Sequence, residues 1–378
     1  MSQSLKEFAS LYRHEGPWCV AYVEAGTGTV DTLEAADVRP SNVRQALAGQ
    51  GASAEDLDAV EKAIQPATGV PSPVARFVLV RQGAVELNEV LPGPLVVSER
   101  IAVDTVPDLL PLIKHRPEEF PYVVAEVGRD SAEIRLQYAG HSQPDKVHDV
   151  QGSSENLKKV PGGGWSQGKN QHRTEEIWRR NADQVADEID RIIRSTGARL
   201  LVLAGDIRSR GLVQDQLSEA SRKLLSTVES HTHTGGADPE AFNDQVDERI
   251  ASQWAAEQLD VVERLAEQEG QPNPESAVGM GAVVRALQQA QVELLVMNDQ
   301  ALADHELLAL GAEPWIANAA EEALGADVLG KTSAPAALLR AAALTDAGVL
   351  LVPAGGLPGG ADIAALLRWP TGPSVPSS

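Results

Sequence analysis

One cysteine in 378 residues, Cys19, leaves this chain without an internal disulfide and without a cysteine-based zinc or iron–sulfur site. Bases are scarce too: 32 Lys and Arg stand against 54 Asp and Glu, and the net charge of -22 excludes a generally basic, DNA-coating protein. No run approaches the ~18 apolar residues of a membrane span, and the opening stretch MSQSLKEFASLYRHEG lacks the apolar core of a signal peptide. No repeat recurs at a fixed spacing of ~20–50 residues. The expectation is a soluble cytoplasmic protein that engages neither membrane nor DNA. What is present is apolar material, 43% of the sequence, enough for a core in each of two or three domains.

Patterning gives an α/β reading in three domains, each a mixed β-sheet with packed helices. The first, 1–115, opens with a helical stretch and then the apolar run WCVAYV (Trp18–Val23), short enough for a buried strand in which Cys19 packs as a small hydrophobe. Helices are predicted over 32–47 and 54–64, and a hairpin over 76–80 and 84–91 about Gln82-Gly83, ended by Pro92 and Pro94. The second domain, 116–238, begins with a hairpin over 122–127 and 132–138. An exposed polar loop follows over 140–172, glycine-rich and protruding at 160–172. A helix over 174–194 comes next, its buried stripe marked by Ile177, Asn181, Val185, Ile189 and Ile192, and then the continuous apolar strand LLVLA at 200–204. The third, 239–370, starts with a long polar helix to residue 268. Helices over 282–289 and 335–347 then alternate with strands over 292–297 and 349–352, which predicts an αβα sandwich. Residues 371–378 read as a tail.

The basic charge is not spread evenly. Between residues 158 and 223 there are 13 basic against 9 acidic side chains, a positive segment in a chain of -22, and between 158 and 180 the ratio is six to two. This stretch holds the loop VPGGGWSQGKNQHR. Gly162, Gly163 and Gly164 let the backbone approach a partner closely, and Trp165 offers a face on which an unpaired base can stack. Lys158, Lys159, Lys169, Arg173, Arg179 and Arg180 suit phosphate contacts whose strength falls with salt, and His172 sits where it can add to them at a helix start. No Gly-Lys-Ser/Thr follows the glycines, so the loop is not a nucleotide-binding P-loop.

The order of parts, a hairpin, a glycine-rich basic loop, a helix reading TEEIWRRNADQVADEI and then LLVLAGDIRSRGLV, resembles the middle domain of archaeo-eukaryotic class-one release factors and Pelota. It is more similar to their bacterial release-factor-like relatives, the family that includes Balon-type ribosome-hibernation factors. SAVGMGAVVRALQQAQVELLVMND resembles the start of the release factors' third domain, so the likeness spans about 117–370. The resemblance implies binding in the ribosomal A site against 23S rRNA, with the loop toward the peptidyl-transferase centre, no cofactor, and elongation factor Tu as a protein partner. Release factors carry Gly-Gly-Gln at the loop tip; the corresponding positions here are Gly164-Trp165-Ser166, with Gln167 one place later. The Asn-Ile-Lys-Ser codon-reading motif is also missing from the first domain. The resemblance therefore implies a non-enzymatic, stress-related stasis factor whose RNA-binding set is Lys158, Lys159, Gly162, Gly163, Gly164, Trp165, Ser166, Gln167, Lys169, His172, Arg173, Arg179 and Arg180. Two alternatives stay open: a peptidyl-tRNA hydrolase or rescue factor that uses Gln167 as its catalytic residue, and a cytoplasmic regulator whose loop binds protein.

Other constellations weigh less. His231 and His233, with Asp238 and Glu240 nearby, have a spacing that can hold a metal, but the same pattern is common on solvated strand ends, and no metal is assigned. Gly279-Met280-Gly281 reads as a helix entry with no strand before it. Arg208, Ser209 and Arg210 follow the strand LLVLA at its carboxyl end, a usual binding position, with Asp206 placed to pair with one of the arginines.

Overall fold

The run WCVAYV becomes a strand buried on both faces, and the first part of the fold grows from it. A computed structural model describes residues 3–26, 30–67, 70, 72–116, 120–128, 131–139, 144–151, 166–228, 239–268 and 270–370. These form two units, one of 1–116 with 258–378 and the other of 117–257.

In the first unit, β1 (Gln3–Ser4) and α1 (Ala9–Tyr12) lead to β2 (Trp18–Glu24), α2 (Val30–Ala48), α3 (Ala54–Ala63), β3 (Val74–Arg81), β4 (Ala84–Pro92), β5 (Arg100–Asp104) and α4 (Leu110–His115). The sheet order is β4-β3-β2-β5, antiparallel throughout. Strand alternation divides β2 between two cores: Cys19, Ala21 and Val23 face Val43, Leu47 and Val60, while Trp18, Val20 and Tyr22 face the other way. Gln82 and Gly83 both take positive φ, 52° and 74°, as a tight two-residue hairpin requires. Strand β5, beyond the prolines expected to end this part, pairs with the free edge of β2.

The second unit contains β6 (Pro121–Val127), β7 (Ser131–Tyr138), β8 (Lys146–Gln151), α5 (Ser166–Thr196), β9 (Leu200–Gly205), α6 (Ile207–Gln216), α7 (Glu219–Lys223), β10 (Leu225–Thr227) and most of α8 (Pro239–Gln268). Its mixed sheet runs β10-β9-β6-β7-β8, parallel among the first three strands and antiparallel thereafter. Val123, Ala125, Ile134 and Leu203 bury one face against Val185, Ile189 and Ile192 of α5. Tyr122, Val124 and Val202 bury the other against Phe242, Val246 and Ile250 of α8.

Three sequence expectations are corrected here. The stretch expected as loop over 140–172 contains β8, an edge strand whose side chains are mostly exposed, so its apolar content is low. Helix α5 begins at Ser166 rather than near Thr174, so residues 166–172 of the supposed loop are helical. The boundary expected at residue 239 falls at 257, because Phe242, Val246 and Ile250 recur every four residues and give α8 an apolar stripe that this sheet covers.

The chain returns to the first unit with β11 (Ser276–Val278), α9 (Met280–Gln288), β12 (Val292–Met297), β13 (Glu306–Leu310), β14 (Ile316–Ala317), β15 (Val328–Ser333), α10 (Ala334–Leu344), β16 (Gly348–Leu351) and β17 (Ile363–Leu367). A five-stranded sheet, β1-β16-β12-β17-β11, is flanked by the three-stranded β14-β13-β15. Leu294, Val296 and Leu366 pack on Val261 and Leu265 of α8. Leu295, Met297 and Val349 pack on Val284, Leu287 and Leu338 from α9 and α10, which completes the sandwich. Gly279 caps α9 at φ 84°, and β11 stands directly before it, where no strand was expected. Trp18, Tyr22 and Phe77 share one core with Val284 and Leu338, so the first and last parts of the chain form one body rather than two domains.

Candidate nucleic-acid interface

Several chain reversals of the second unit meet at the carboxyl ends of its parallel strands. Strand β6 ends at Val127, β9 ends at Gly205, and β8 ends at Gln151 opposite Ser131. Gly205 has φ 103°, and a Cβ there would overlap the Val127 carbonyl oxygen, so only glycine lets the two strand ends lie this close. Helix α6 starts at once. The Asp206 carboxylate caps it, accepting from the backbone N–H of Arg208 (3.1 Å) and of Ser209 (3.0 Å) and from Ser209 Oγ (3.2 Å). Asp206 thus holds the first turn of α6.

Helix α5 passes this edge at Trp178. The Arg208 guanidinium lies over the Trp178 ring, 5.2 Å from its centroid; Trp178 is half-buried and Arg208 exposed. Twelve residues separate Ser166 from Trp178, so at the helical rise of about 1.5 Å per residue the helix begins roughly 18 Å before the stacked pair. Arg179 and Arg180, next along the helix, are exposed.

An open cleft of about 960 Å³ lies along the same edge, lined among others by Gly128, Glu133, Asp149, Gly205 and Asp206. Its walls are not uniformly charged. Buried Glu126 is ion-paired with Arg135, which also reaches Glu133 at 3.5 Å. Arg210 turns inward to donate from Nη1 to the Val228 carbonyl at 2.9 Å. On the nearby helix face the hydrogen bond and charge of Arg191 hold the Glu188 carboxyl below its ordinary range. The edge therefore offers a guanidinium over an indole, exposed arginines and carboxylates.

Of the residues singled out in the sequence, Arg179 and Arg180 stand on this helix as exposed cations. Ser166, Gln167, Lys169, His172 and Arg173 are on the first turns of α5, in helical backbone rather than the expected loop. Lys158, Lys159, Gly162, Gly163, Gly164 and Trp165 lie outside the described residues, as do His231, His233 and Asp238. Glu240 is exposed on α8, and among the described residues no group of three or more His, Cys, Asp or Glu is arranged to hold a metal. No described helix is long and apolar enough to cross a membrane. The partnership of Trp178 with Arg208 was missed: thirty residues separate them, and the one available signal was a lone indole beside Arg179 and Arg180 in a polar stretch.

Residues 121–271 match the model of a family described as Bacterial archaeo-eukaryotic release factor family 2. Over 290 residues the chain is 24% identical to an uncharacterized protein of Mycobacterium tuberculosis, covering 76% of each. Among solved structures it is similar to Pelota of Archaeoglobus fulgidus, with 18% identity, 79% of this chain and 80% of that one covered, and a TM-score of 0.34. It is also similar to a chain in a model of ribosome-bound archaeal Pelota and ABCE1, with 12% identity, 98% and 95% covered, and a TM-score of 0.43.

Proposed function

We propose that this chain, whose residues 121–271 match the model of a bacterial archaeo-eukaryotic release factor family, is a translation factor that enters the ribosomal A site and holds it without cleaving peptidyl-tRNA. The observation that carries this reading is the charge contrast: 13 basic against 9 acidic residues over 158–223, in a chain of net charge -22. Such a segment is attracted to RNA while the rest of the surface is repelled.

In this reading Lys158, Lys159, Lys169, Arg173, Arg179 and Arg180 contact 23S rRNA phosphates, His172 adds a further contact, and Trp165 stacks near the peptidyl-transferase centre. Gly164-Trp165-Ser166 stands where hydrolytic relatives carry Gly-Gly-Gln, and a bulky indole in place of glycine supports occupancy without hydrolysis. A translational GTPase of the elongation factor Tu kind escorts the protein, which acts in the cytoplasm during stress as a hibernation factor.

Co-sedimentation with 70S ribosomes tests the binding. The protein pellets with ribosomes at low salt, and with about six phosphate contacts its affinity falls with a log–log salt slope of roughly -4 to -5. Lys158→Glu with Lys159→Glu and Arg173→Glu abolishes pelleting. Sedimentation indifferent to salt and to these substitutions overturns the reading. Release of peptide from ribosome-bound peptidyl-tRNA, stopped by Gln167→Ala, overturns its non-catalytic half.

A further inference from the structure

The sheet of β2 to β5 holds a buried cation that lacks a counter-charge. Arg76 of β3 is 9% exposed, and by strand alternation it points to the same face as Val78 and Val80, which pack on α2 and α3. Its Nη1 donates to Asn88 Oδ1 at 2.7 Å, and its buried Nε has no hydrogen-bond partner. Burial alone pushes the guanidinium below its ordinary value, with no carboxylate near enough to offset it. A charge left in this state is unfavourable, because its desolvation is not balanced by an opposite charge.

Solvent reaches Arg76 from the edge of the sheet. Across the ladder on one side stands Val23, fully buried; on the other stands exposed Val90, with exposed Asn88 two places along. Both belong to β4, the last strand in the sheet order, whose outer side pairs with no strand among the described residues. Val85 and Val90 leave it 45% and 37% exposed, and an open strand edge of this kind is a template for another extended chain. Charge decides which chain. The β4 residues opposite Val80, Val78, Arg76 and Val74 are Val85, Asn88, Val90 and Pro92, none of them acidic. Glu86 and Glu89 are held by Arg81 at 3.2 Å and Arg116 at 3.0 Å. A second copy pairing through β4 therefore has no carboxylate to spare. We propose that the outer edge of β4 takes up an extended acidic peptide of a partner protein as a fifth strand, one carboxylate reaching the Arg76 guanidinium. Strands lie ~4.8 Å apart, so the peptide stands ~10 Å from β3, a span that an arginine already bonded to a β4 side chain and an incoming glutamate cover together. Arg76 and β4 lie outside residues 121–271, so this docking edge stands apart from the ribosomal reading.

Fluorescence anisotropy on the full chain tests it with a fluorescein-labelled decapeptide of Thr-Glu repeats and its Thr-Gln counterpart, equal in length and different in charge. The Thr-Glu peptide binds about tenfold more tightly, against the repulsion of a chain of net charge -22. Amide exchange followed by mass spectrometry slows across residues 84–92 when it binds. Arg76→Met abolishes the preference for the acidic peptide and leaves the urea midpoint equal or higher, because it removes an uncompensated charge and keeps an apolar chain of similar length. A lowered midpoint in Arg76→Met assigns the guanidinium to the architecture of the sheet and overturns the proposal. Equal binding of the two peptides, or Thr-Glu binding that leaves residues 84–92 unprotected, overturns it as well. Acetate that displaces the peptide at the same carboxylate concentration makes this a site for small anions and overturns the added strand.

Discussion

Cys19 illustrates how burial sets chemistry at a single position. It is 1% exposed as the second residue of β2, and burial, with the Asp56 carboxylate adding to it, pushes its thiol up to about 11. At pH 8 only about one molecule in a thousand is the thiolate, so a thiol-specific disulfide reagent leaves the native protein unmodified and labels it fully in 6 M guanidinium. The sign of the pH effect follows. The neutral thiol is favoured in the fold, so its contribution to stability is complete below about pH 9 and is lost as pH rises toward 11. Urea midpoints taken across this window fall more steeply for the native protein than for Cys19→Ala. Tyr22 is held as tightly on the opposite face of the strand. The Pro92 carbonyl can only accept, so His115 Nε2, at 2.8 Å, donates to it; Nδ1 then accepts from the Tyr22 hydroxyl at 2.6 Å, and that hydroxyl accepts from Val96 N–H at 3.0 Å. Tyr22→Phe strands the buried His115 Nδ1, takes the acceptor from Val96 N–H, and costs about 1–3 kcal/mol in urea unfolding.

Between elements the same accounting links a helix to a turn. Ser53 caps α3 by accepting from Asp56 N–H at 3.1 Å, and the Asp56 carboxylate reaches out to accept from Gly83 N–H at 2.7 Å in the β3–β4 hairpin turn. Asp56→Ala removes that partner and destabilises by about 1–3 kcal/mol, while Ser53→Ala costs about 1 kcal/mol; urea midpoints separate the two. This hairpin was legible in the sequence because Gln82-Gly83 between apolar runs carries its own turn chemistry. Strand β8 was not, since KVHDVQ is an edge strand with only Val147 and Val150 for apolar content. The start of α5 was hidden for another reason. Residues 166–173, SQGKNQHR, contain glycine, serine and asparagine, poor helix formers, so intrinsic preference placed the boundary about two turns late. The cationic face at Arg179 and Arg180 was visible as charge, but the carboxylates of the cleft come from three separate strands and a turn, a juxtaposition that no local pattern announces.

For the molecule as a whole, the expected three domains become two units because burial ignores chain order. Residues 117–257 close around their own sheet, with cores on both faces built from within the segment. Expressed alone, this segment gives a native far-UV circular dichroism spectrum and a single cooperative urea transition; a spectrum of unfolded chain contradicts the division. The other unit is made from both ends of the sequence, with Gln3 of β1 paired to Val349 of β16 and Trp18, Tyr22 and Phe77 packed in one core with Leu338. During synthesis at roughly 5–20 residues per second the beginning of the chain therefore waits tens of seconds for the strand that completes it. In that interval Tyr12, Trp18 and Phe77 are uncovered on the nascent chain and present a chaperone-binding surface. A chain stopped by a premature nonsense codon never buries them, so truncated copies are cleared as misfolded protein rather than persisting as partial factors.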